Sequence, residues 1–195
     1  MIDLIGLALL GVAMIASPGP ANMVLMTAGA EFGLRRALPF VFGVAMGKQL
    51  VIWPVGLGLL AATASLPGLA TALAFLSAAY LLWLAWRIAG ARIVAGRARP
   101  PRFAAGLVVH PLNPKAWALV TSAFGVYAAG APPLLGTLIV ALTFLAIQLV
   151  FHPLWCWGGA RLAHAVAGTQ AERALMICLA ALTVASVVVV LVNVG

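Results

Sequence analysis

The stretch DLIGLALLGVAMIASPGPANMVLMTA, residues 3–28, is apolar along nearly its whole length and is interrupted once, near its centre. About 20 apolar residues suffice to cross a bilayer as a helix. Pro18 and Pro20 remove two backbone donors, and Gly19 between them weakens the helix further, so a regular helix does not run through. Lipid offers the freed backbone groups no partner. Such a break is tolerated only where it faces protein or a polar cavity. Residues 4–16 followed by Ser17 to Pro20 also resemble a secretory leader. A leader, however, carries positive charge ahead of its apolar core. Here the one charge is Asp3, and the apolar pattern resumes after Pro20. The stretch reads as one span interrupted in its middle.

The rest of the chain agrees with a membrane setting. Of its 195 residues, 65% are hydrophobic and 7% are charged, with a mean hydropathy of +1.18. Soluble domains run at about 45–50% and about 25%. So few charges cannot cover a water-exposed surface. Apolar runs fall at about 3–28, 38–62, 68–90, 104–128, 133–159 and 173–194. They do not alternate apolar with polar residues, as strands of a membrane barrel would. Helices satisfy their own backbone in lipid. The fold expected is an all-α integral membrane protein of six transmembrane helices, one domain over residues 1–195. The breaks between spans are expected at 29–37, 63–68, 91–103, 128–133 and 160–172.

Charge sets the orientation. Arg35 and Arg36 lie on the first loop, Arg87, Arg92, Arg97, Arg99 and Arg102 on or beside the third, and Arg161 and Arg173 on the fifth; the second and fourth loops carry no cation. By the positive-inside rule the odd loops are cytoplasmic and both termini lie outside. The net charge of +8 therefore reports topology, and no nucleic-acid partner is expected. Cys156 and Cys178 sit in apolar runs, which argues against a disulfide framework. No C-x-x-C or His-x-x-x-His spacing suggests a metal. No nucleophile elbow or P-loop suggests an enzyme or a cofactor.

The two remaining cations, Lys48 and Lys115, lie about ten and eleven residues into apolar spans. An ionisable group at that depth costs roughly 2.5–3.5 kcal/mol on insertion scales and points to a functional site. Lys115 follows a second proline break. ASPGPANMVLMT, 16–27, is echoed by PLNPKAWALVT, 111–121, with Pro20 and Pro114 94 residues apart. QLVIWP, 49–54, is echoed by QLVFHP, 148–153, at an offset of 99. Together these relate spans one to three with spans four to six. Three is odd, so the halves insert with opposite topology, as in many secondary transporters. The repeats are read as about 1–90 and 104–195, joined by a basic cytoplasmic loop at about 91–103. A half-helix beginning near Asn22 or Lys115 presents N–H donors suited to a carboxylate.

SPGPAN at 17–22, Gly43 and Gly47 in a G-x-x-x-G, AAYLLWLAWRI at 78–88 and LNPKAW at 112–117 resemble the LysE/RhtB superfamily, the lysine and threonine exporters. The likeness runs from the first span through the sixth. It implies a small secondary carrier of the bacterial inner membrane, exporting amino acids or related zwitterionic or anionic metabolites on the proton gradient. It also implies that Pro18, Gly19, Pro20, Asn113, Pro114 and Lys115 occupy motif positions. At the position after Gly47 the family pattern has a small polar or acidic residue, whereas this chain has Lys48, which does not suit a cationic solute.

The expected solute-binding set is Pro18, Gly19, Pro20, Asn22, Lys48, Asn113, Pro114, Lys115 and Trp117. Lys115 and the half-helix starts would hold a carboxylate, and Asn22 and Asn113 would orient an amino group. Lys48 and His152 are the candidates for proton coupling, since no acid lies at mid-depth. His110, Gln49 and Gln148 complete the polar residues in the spans; a lone histidine such as His110 or His152 is more often structural. Gly43 and Gly47 fit close helix contact, within the bundle or at the seam of a homodimer. A metal or ion exporter of the same superfamily and a non-transporting membrane scaffold are the alternatives. The first would need acid, thiolate or imidazole ligands at depth. The second would not need buried lysines beside paired breaks.

Overall fold

The computed structural model describes residues 2–58, 75, 76, 79, 80, 82, 83, 85, 86, 89, 90, 101–128 and 130–192. These are helical with no strand. The second break at 63–68, much of the third apolar run and Arg87, Arg92, Arg97 and Arg99 lie outside the described residues.

Helix α1, Leu4–Ala16, begins at Asp3, whose carboxylate accepts from the Gly6 N–H at 2.9 Å. That bond satisfies one of the orphan donors of the first turn. It ends at Ser17 in extended geometry. Pro20 then opens α2, Pro20–Gly56, at a position where the missing N–H is no loss. Inside α2 one residue leaves helical geometry, Gly33 at φ 73° and ψ 158°. Only glycine adopts such a φ without steric cost. The resulting turn is sharp. Asn22 and Lys48 line one cavity, whereas a straight helix would separate them by about 39 Å. The loop expected over 29–37 is thus compressed into a single residue, with helix up to it and directly after it.

The fourth apolar run is more broken than its composition suggests. It contains α3, Phe103–Leu107, a turn, then α4, Pro114–Ser122, which passes into a π-helical turn at Ala123–Tyr127. Helix α5, Pro133–Val166, has 34 residues and continues well into the segment 160–172 expected as a loop. The break there is only Ala167 to Thr169, with Gly168 at φ 74°. Helix α6, Gln170–Val192, follows. By length and composition α2 and α5 can each cross a membrane.

In lipid, helices associate by close packing rather than by removing apolar surface from water. Glycines accordingly mark the crossings. A Cβ on Gly29 would strike the Cys156 carbonyl, and one on Gly159 the Met26 carbonyl, so the first limb of α2 and α5 touch backbone to backbone. Gly43 and Gly47 meet the Phe103 and Leu107 carbonyls of α3 in the same way. Their close contact lies within the chain. Two apolar clusters result. One joins Met23, Leu25 and Val41 of α2 to Cys156 of α5 and Met176 of α6. The other joins Leu7 of α1, Val51 and Ile52 of α2, Val120 of α4 and Phe144 of α5. The outer faces stay apolar, with Ile5, Leu9, Phe42, Leu50, Leu142, Val150 and Leu154 exposed. An exposed apolar surface of this extent suits lipid rather than water.

Candidate functional site

The end of α1 leaves carbonyls without intrahelical partners. Side chains from four elements supply donors. The Ser17 hydroxyl donates to the Met14 carbonyl at 3.1 Å. Asn22 Nδ2 donates to the carbonyls of Ile15 and Ser17, both at 2.8 Å. Trp155 Nε1, from α5, donates to the Ala16 carbonyl at 3.2 Å. Lys115 Nζ, from α4, donates to the Ser17 hydroxyl oxygen at 2.8 Å and to the carbonyls of Pro18 and Ser17 at 3.0 and 3.3 Å. An ammonium has three donors, and here each has an acceptor. Its charge also suits the negative end of the α1 dipole. Gly19 makes room for it, since a Cβ there would sit 3.1 Å from both Cδ and Nζ of Lys115.

Helix α4 begins against this point. Asn113 caps it, with Oδ1 accepting from the Lys115 N–H at 3.0 Å, and Pro114 fills the first helical position. One helix thus ends and another begins around a shared cavity of about 20 Å³. Polar residues lining it are Asn22, Lys48, His110, Asn113, Lys115 and His152, and Gly19 lines it too. No carboxylate lines it among the described residues. Its volume suits about one water, which needs roughly 10–15 Å³ on this measure, and is too small for an amino acid.

Lys48 is 3% exposed and its Nζ stands 5.8 Å from the centre of the Phe144 ring. His110 and His152 are stacked, ring centres 5.6 Å apart. Between their edges, Gln148 Nε2 lies 3.2 Å from His110 Nε2 and 3.4 Å from His152 Nε2. His110 Nδ1, His152 Nδ1 and Gln148 Oε1 are buried with no partner among the described residues.

The structure therefore gathers Gly19, Asn22, Lys48, Asn113, Lys115 and His152 around one space. Pro18 participates through its carbonyl. Pro20 and Pro114 start helices and are not among the lining residues. Trp117 is not there either; its indole donates to the Pro111 carbonyl at 2.9 Å. Residues two apart on a helix face different sides, which separates Trp117 from Lys115. Asn22 and Asn113 have partners already, in the end of α1 and the start of α4. Gln49 turns elsewhere and donates to the Ala141 carbonyl at 3.2 Å. Gln148 and His152 are i and i+4, so their pairing has a sequence signal. The part played by His110 has none.

The family model described as "LysE type translocator" matches residues 12–193. The "Cysteine/O-acetylserine efflux protein" of Salmonella typhimurium is 33% identical over 85 residues, 43% of this chain and 43% of that protein. The protein of the same description from Klebsiella pneumoniae is 33% identical over 105 residues, 51% of this chain and 52% of that protein. The chain thus matches about half the length of these curated relatives, or less. No solved structure matches it.

Proposed function

The chain belongs to the LysE type translocator family, and from that premise we propose that it is a secondary exporter of amino acids or related small zwitterionic or anionic metabolites. One observation carries the chemistry: the cavity is lined by two lysines and, among the described residues, by no carboxylate. A site of that charge favours a solute carboxylate and disfavours a cationic side chain. Relatives named for the efflux of cysteine and O-acetylserine, both zwitterions, support the same class.

In this reading the carboxylate is held by the ammonium of Lys115, at the positive dipole end of α4. To reach it, Lys115 exchanges bonds to the end of α1 for bonds to the solute. Binding then favours a state in which α1 and α4 have separated, because a ligand shifts an equilibrium by its differential affinity. A cavity of about 20 Å³ needs such a movement to admit an amino acid. Alternating access between two inverted three-helix repeats, with the first and fourth spans broken at Pro-Gly-Pro and Asn-Pro-Lys, supplies it. Lys48 is the proposed proton-coupling group, with His152 second. The carrier sits in the bacterial inner membrane with its arginine-rich loops in the cytoplasm and both termini outside.

The test uses inverted membrane vesicles, in which export becomes uptake. Vesicles containing the protein are given isotope-labelled cysteine, O-acetylserine and other amino acids, with and without an imposed proton gradient. Gradient-dependent uptake above that of vesicles lacking the protein is expected. Equal uptake by the two vesicle types across the whole set would overturn the reading.

A further inference from the structure

The cavity has a second group of polar residues that the carboxylate seat does not use. Lys48 and His110 are 3% exposed and His152 is 1% exposed, and all three line the space. Buried polar atoms ordinarily have partners, and those that lack them ask for an explanation. Here each imidazole uses one nitrogen on Gln148 and leaves Nδ1 without a partner among the described residues.

Gln148 Nε2 lies against Nε2 of both rings, so each imidazole keeps its other nitrogen for a further partner, donating or accepting according to its tautomer. With the ammonium of Lys48 they place three hydrogen-bonding side chains on residues that line one cavity. Gln148 itself is fully buried and does not line the cavity, so it is a positioning residue.

We infer that Lys48, His110 and His152 form a side-chain subsite for a polar, hydrogen-bonding group on the solute, such as an ester carbonyl that accepts from the Lys48 ammonium. This rests on the exporter reading and narrows it: Lys115 takes the α-carboxylate, and this wall selects the side chain. A purely apolar side chain leaves these polar groups unpaired, and buried polar groups without partners discriminate more strongly than a missing methylene does.

The test compares uptake of isotope-labelled glutamate 5-methyl ester with that of labelled norleucine, an alkyl side chain without an acceptor, at equal low concentration in inverted vesicles. The wild-type protein takes up the ester about tenfold faster. His110→Phe and His152→Phe each bring the ratio close to one. Solute-dependent thermal stabilisation of the purified protein reads the same preference for any variant that binds without transporting. Equal wild-type rates, faster norleucine uptake, or no ester uptake in vesicles that take up other amino acids would overturn the subsite alone. So would folded histidine variants that keep the wild-type ratio. No uptake of any amino acid would overturn the exporter reading and the subsite with it.

Discussion

The ammonium of Lys115 lies 2.8 Å from the hydroxyl oxygen of Ser17, a contact between residues 98 positions apart in the chain. It ties the start of α4 to the end of α1, and so joins one proline-rich interruption to the other. The acceptors at the end of α1 would otherwise face lipid-depth surroundings without donors. The same bond keeps a cation beside the cavity, with no carboxylate lining it among the described residues. Stability of the broken helix and the proposed recognition of an anion thereby rest on one side chain.

Asn22 belongs to this arrangement as firmly as Lys115. Its amide covers the carbonyls of Ile15 and Ser17. Asn22→Ala leaves both without that donor, at a cost of about 1–3 kcal/mol for a buried group left unpaired. A lowered unfolding midpoint in detergent is the expected reading. An unchanged midpoint would mean that these carbonyls find other donors at no cost.

Helix crossings should tolerate substitution very unevenly. Gly159→Val drives its Cβ into the Met26 carbonyl, where backbone must shift. Overpacking of this kind costs about 1–3 kcal/mol. Gly158→Ala meets nothing within 4 Å and removes a helix-weakening glycine. Thermal unfolding of the two variants should therefore move in opposite directions or differ by several degrees, with Gly159→Val the less stable. Equal midpoints would contradict the backbone-to-backbone contact.

The features legible in the sequence are those with a local cause. Pro20 and Pro114 start helices because their missing N–H is harmless in the first turn, and Asn113 caps because its side chain reaches the next turn's donor. The two lysines stood out because charge is costly at depth. What escaped depends on three-dimensional neighbours. Residues 29–37 carry loop-like composition, yet Gly33 alone turns the chain, since one positive φ suffices. Trp117 is two residues from Lys115 in sequence but not on its helix face. His110 gains its meaning from Gln148, 38 residues away, which no local pattern shows.

The exporter proposal gives proton coupling to Lys48, and Lys48→Gln separates coupling from structure. Glutamine keeps a polar side chain of similar reach but cannot carry a proton. The variant should fail to concentrate solute on a proton gradient, with any remaining uptake stopping at equal concentrations across the membrane. Gradient-driven accumulation with the wild-type pH dependence would remove Lys48 from the coupling step.

Orientation is open to labelling. In a background lacking Cys178, which is exposed, single cysteines placed beside Pro67 and Gly130 should react with an impermeant reagent from outside. Cysteines beside Gly96 and Gly168 should not. The opposite pattern would reverse the six-span topology with both ends outside.

Reconstitution of purified wild-type protein and Lys115→Ala in liposomes, with an imposed pH gradient and labelled O-acetylserine, tests the role of Lys115 most directly. The variant loses charge-assisted bonds worth about 1.5–3 kcal/mol each in buried settings, less where solvent reaches them, so its folded fraction is measured first by gel filtration. Gradient-driven uptake by the wild type and none by folded Lys115→Ala is the result expected. Uptake by folded Lys115→Ala at the wild-type rate would contradict the claim that this lysine holds the solute.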